Sequence, residues 1–94
     1  MVRESEIHKA LVKRIEALGG QVRRLKWIGR SNAPDVVVML TKRHLLVEEK
    51  RPGEEPTDAQ VREHVRLRRA GFTVLVISTF EEIDHHFPLA ERLQ

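Results

Sequence analysis

Ninety-four residues suffice for one domain with a modest core, and a hydrophobic content of 40% excludes a disordered chain. The chain has no cysteine, so disulfides and thiolate zinc sites are excluded. A formal net charge of +3 and a pI of about 9.8 favour polyanionic partners, weakly when taken alone. No apolar run is long enough to span a bilayer, and the start MVRESEIHK is charged where a secretory signal turns apolar. A soluble, cytoplasmic protein with a single domain over residues 1–94 is expected.

Residues 4–18 place Ile7, Leu11, Ile15 and Leu18 at helical spacing, and Gly19-Gly20 supplies the stop. Residues 21–28 alternate loosely and predict a first strand, with Arg23, Arg24 and Lys26 interleaving Val22, Leu25 and Trp27. GRSNA (29–33) is a polar loop. PDVVVML (34–40) is apolar on both faces and reads as a central strand, with Pro34 at the one position where its missing N–H is tolerated. After a polar turn, HLLVEEK (44–50) pairs with it as a hairpin. RPGEEP (51–56) is a loop. Thr57 or Asp58 caps a helix that runs to about Ala70, with Val61, Val65 and Leu67 on its apolar stripe and Gly71 as its stop. FTVLVIS (72–78) is a buried strand, parallel to a neighbour because it follows a crossover helix. A terminal helix over residues 80–93, broken near Pro88, closes the chain. The class is α/β, a sheet with helices on both faces.

Two buried strands carry charge at their ends. In a hairpin the start of one strand lies beside the end of the other, which brings Asp35 to Glu48. Alternation points Glu48 and Lys50 to one face and Glu49 to the other. Two converging carboxylates need a proton or a cation between them, and hard oxygen donors suit Mg²⁺. On the first helix Glu4 shares the stripe of Ile7 and Leu11, whereas Glu6 lies opposite. Arg30, Ser31 and Asn32 before Asp35, and Arg62 and Arg66 on the second helix, are candidate phosphate contacts. A structural ion pair of Lys50 with Asp35 is the plainer alternative. It leaves Glu4 and the loop unexplained.

The ordered set Glu4, Pro34-Asp35, Glu48-Glu49-Lys50 and Gln60 resembles the PD-(D/E)xK nuclease superfamily, and within it the VRR-NUC branch of virus-type replication-repair nucleases. The resemblance covers nearly the whole chain, although Ala33 stands where the family often carries glycine. It implies a restriction-endonuclease-like αβββαβ core, a mixed sheet flanked by helices, with a short C-terminal helix. It implies Mg²⁺ or Mn²⁺ bound by Asp35, Glu48 and the main-chain carbonyl of Glu49, with Glu4 acting through water or at a second metal. Lys50 would orient the attacking water and stabilise developing charge, and Gln60 would position Lys50 or the water. The implied function is a metal-dependent endodeoxyribonuclease on branched DNA, a Holliday-junction-resolvase-like homodimer in phage or bacterial replication and repair. The competing readings are a non-catalytic nucleic-acid-binding module of the same fold, or a flap- or RNA-directed nuclease.

Overall fold

The computed structural model describes residues 1–90. Its elements are α1 (Glu4–Ala17), β1 (Gln21–Arg24), β2 (Val36–Met39), β3 (His44–Glu49), α2 (Asp58–Arg69), β4 (Thr73–Ile77) and α3 (Phe80–His86). This is the αβββαβ order expected from the sequence, followed by a short helix. Among the described residues no helix is long and apolar enough to cross a membrane.

Ile7, Leu11 and Ile15 are fully buried, so α1 lays one stripe on the sheet. Glu6 serves the helix start instead of the sheet, accepting the Arg3 main-chain N–H at 3.2 Å. At the other end Gly20 N–H bonds the Ile15 carbonyl at 2.8 Å and Gly19 N–H bonds that of Glu16 at 3.0 Å. This Schellman closure needs a left-handed residue, and Gly19 supplies φ 86°. Gly20 has a different task, because it passes against the sheet. A Cβ there would meet the Met39 carbonyl oxygen at 2.5 Å and Leu40 Cδ2 at 2.7 Å. Gly20→Ala is therefore expected to cost about 1–3 kcal/mol as overpacking. Each kcal/mol lowers Tm by about 4–8 °C in a domain of this size. An unchanged Tm would show that the turn yields freely.

The strands lie in the order β1-β2-β3-β4. β1–β2 and β2–β3 are antiparallel and β3–β4 is parallel, as the crossover through α2 requires. Val36, Val38, Leu45, Val47 and Ile77 form the core with Ile7, Leu11, Ile15, Ile83 and Phe87, on the side of α1 and α3. Leu46 and Glu48 alternate to the other face. There α2 lies, with His64 against Glu48.

Three expectations are corrected. The first strand ends at Arg24, not at residue 28. Leu25 N–H still reaches the Asp35 carbonyl at 2.9 Å, but the neighbouring Pro34 has no N–H to continue the ladder. The Trp27 indole N–H takes the Pro34 carbonyl instead, at 2.9 Å. The last helix closes at His86, before Pro88, and the end of its predicted span, residues 91–93, lies outside the described residues. The third correction concerns α2. Val61 and Val65, expected on the inner stripe, are 45% and 37% exposed, while Glu63 and His64 are buried.

Candidate active site

The β2–β3 register sets Val36 opposite Val47, which leaves Asp35 and Glu48 together at one end of the pair. Asp35 is tied down there. Its N–H bonds the Val47 carbonyl at 3.0 Å, and its Oδ2 accepts the Glu49 main-chain N–H at 2.7 Å. Asp35 and Glu48 lie close enough for one carboxyl to hydrogen-bond the other once a proton is shared. Burial first, then the hydrogen bond and the charge of Asp35, push the Glu48 carboxyl up to about 8. Lys50 partly offsets this rise and Glu4 adds to it. Lys50 Nζ stands 4.0 Å from Glu48 Oε2 and its side chain is only 12% exposed. Glu4 opens α1 at the rim of this group, solvent-exposed.

The other wall is α2. Thr57 Oγ1 accepts the Gln60 N–H at 3.1 Å and Gln60 Oε1 accepts the Thr57 N–H at 2.9 Å, a reciprocal capping box. With its oxygen committed to the cap, the Gln60 amide turns Nε2 to Glu48 Oε2, at 3.4 Å. One turn later His64 Nε2 lies 3.3 Å from Glu48 Oε1. Burial, and next the charge of Arg68, hold the His64 imidazole below its ordinary value. Sequence reasoning passed over His64. The available signal was its spacing of four from Gln60.

Glu49 does more than offer its main chain. Its side chain is buried on the α1 side, with His8 Nδ1 2.7 Å from Oε2. Burial raises the Glu49 carboxyl and His8 counters the rise.

Arg30, Ser31, Asn32, Arg62 and Arg66 line one cavity of about 230 Å³, together with Glu63. Glu63 Oε1 accepts from Arg30 Nε at 3.2 Å and from Arg66 at 3.3 Å. The loop ahead of Asp35 is thereby tethered to α2. Three guanidinium groups face one carboxylate, which leaves the cavity positive.

The donor chemistry fits a hard divalent cation. The Glu48 carboxyl is driven up first by burial and then by half-buried Asp35, and Lys50 offsets this only in part; Mg²⁺ sites commonly use one or two carboxylates with water and phosphate oxygens completing the shell. Among the described residues no three His, Cys, Asp or Glu side chains close on one point.

No family model matches the chain. A protein of Acyrthosiphon pisum secondary endosymbiont phage 1, named "Putative nuclease p44", is 39% identical over 80 residues, 84% of this chain and 86% of that protein. A solved structure described as "VRR_NUC domain" superposes with a TM-score of 0.81 at 39% identity, covering 90% of this chain and 94% of the other. Identity at that level, along almost the full length of both chains, goes beyond a common fold: the chain belongs to the VRR-NUC family of nucleases.

Proposed function

We propose that this nuclease is an endodeoxyribonuclease that depends on Mg²⁺ or Mn²⁺ and cuts branched DNA as a homodimer, in the manner of a Holliday-junction resolvase. The observation that carries the reading is the pairing of buried Glu48 with half-buried Asp35, with Lys50 beside it. Asp35, Glu48 and the main-chain oxygen of Glu49 would hold the cation, and Glu4 at the rim would reach it through water. When bound, such an ion lowers the pKa of a coordinated water and draws charge from the scissile phosphate. Lys50 orients the attacking water and faces the phosphate oxygens, where its ammonium stabilises the charge that builds up. Gln60, locked to the helix cap, fixes the Glu48 carboxylate beside Lys50.

Arg30, Ser31, Asn32, Arg62 and Arg66 would hold a phosphate next to the one being cut. Their cavity is lined by the loop that leads into Asp35 and by α2, the helix that carries Gln60 and His64. Contacts of this kind place the backbone without reading bases. Each chain carries one such site, and a four-way junction needs two opposed cuts, which a homodimer supplies. The phage origin of the p44 relative suits replication or repair inside a bacterial cell.

A panel of labelled duplex, flap, four-way-junction and RNA substrates tests the reading. The junction is expected to be nicked symmetrically with Mg²⁺ or Mn²⁺ and left intact with EDTA. Asp35→Ala should lose cleavage and still shift junction DNA on a gel. Cutting by that variant would remove the site assignment, and preference for RNA or flaps would replace the substrate.

A further inference from the structure

Helix α2 is turned the wrong way for an apolar helix. Burying a valine contributes about 1.5–3 kcal/mol, yet α2 leaves Val61 and Val65 exposed and seats an imidazole that is 2% exposed. What the rotation gains is contact with one carboxylate. Gln60 and His64, four residues apart and hence on one helix face, each take one oxygen of Glu48: Nε2 of Gln60 at Oε2, 3.4 Å, and Nε2 of His64 at Oε1, 3.3 Å.

We infer that His64 is a positioning residue that orients the Glu48 carboxylate for the metal. The inference rests on the metal-dependent reading above. A carboxylate held at one oxygen can still rotate about its terminal bond. Held at both, it has a fixed plane, and its remaining lone pairs face the Asp35 side of the site. For His64 to donate to Glu48 as a metal-binding carboxylate, the imidazole must carry its proton on Nε2. His64 itself does not touch the reacting atoms. Partners of this kind, set behind a metal ligand, typically change metal affinity or activity by about 10–100-fold when removed.

The experiment is Mn²⁺ binding by calorimetry on the DNA-free protein, with Tm in EDTA as the check on folding. His64→Leu fills the space without a donor and is expected to weaken Mn²⁺ binding by about 10–100-fold. His64→Gln places an amide N–H near the position of the imidazole Nε2 and should stay close to the parent protein. If the leucine variant does not fold, His64→Asn serves, since its amide is too short to reach Oε1 and should weaken Mn²⁺ binding likewise. Cleavage by the weakened variant should recover as Mn²⁺ is raised, moving the half-saturating concentration more than the plateau rate. A lower Tm with unchanged Mn²⁺ affinity would make His64 a core residue only and overturn the inference. Failure of the parent protein itself to bind Mn²⁺ would instead overturn the metal-dependent reading, and the role of His64 with it.

Discussion

Lys50→Ala is expected to slow cleavage by about 10²–10³-fold, the usual cost of deleting one electrostatic group aimed at transition-state charge. The fold should survive the change. Lys50 contributes its main-chain N–H to the Ile77 carbonyl at 3.0 Å, and alanine keeps that bond. Among the described residues the side chain makes one ion pair, at 4.0 Å from Glu48, too long to hold the sheet end by itself. Lys50→Arg should not restore the full rate, because a planar guanidinium does not occupy the place of a compact ammonium. Single-turnover cleavage of a labelled junction, with saturating Mn²⁺, measures the effect. The competing view of Lys50 as a structural partner makes the opposite forecast: Tm falls and the rate per folded molecule holds. A variant that cuts at the parental rate would leave the site without its proposed charge stabiliser.

The placement of the candidate-site residues was legible in the sequence wherever local geometry decides it. Strand alternation separates Glu48 and Lys50 from Glu49, and the hairpin places Asp35 beside Glu48, with no need of distant contacts. The helical wheel set Glu4 on the stripe and Glu6 off it; Glu6 caps α1, and Glu4 is exposed at the helix start. The face of α2 was not legible, for a physical reason. A wheel weighted by hydrophobicity turns Val61 and Val65 inward, whereas the real inner face is held by partners far off in sequence. Glu63 is buried because Arg30 meets it across 33 residues, and His64 because Glu48 meets it across 16. The His8–Glu49 pair spans 41 residues and was equally invisible. The early end of β1 depends on Pro34 in the neighbouring strand, not on residues 25–28 themselves. Local rules thus miss the inner face of α2 and the end of β1, where the chain serves the candidate-site end of the sheet.

Glu48→Gln should produce two opposed effects, and their combination is more diagnostic than either alone. Cleavage should fall to background, because a neutral amide is a poor ligand for a hard cation. The metal-free protein should at the same time become more stable at pH 8. The sign follows from the direction of the shift. Glu48 rises from an ordinary value of 4.5 to about 8 in the folded protein. Between those limits the folded state therefore binds more protons than the unfolded one, and stability declines as pH increases across the window. The contribution is fully present below 4.5 and lost by about 8. Glutamine removes the ionisation and, with it, this slope. Its amide can still accept from His64 and can donate to Asp35, so the surrounding hydrogen bonds persist. One pKa unit corresponds to about 1.4 kcal/mol, so even a fraction of the shift should raise Tm by about 4–8 °C or more in EDTA at pH 8. Added Mn²⁺ should reverse the ranking, since the parent protein gains binding energy and the variant does not. Equal melting curves in EDTA from pH 5 to 8 would mean that burial and Asp35 do not raise the Glu48 carboxyl. The case for a cation as its missing partner would then fail.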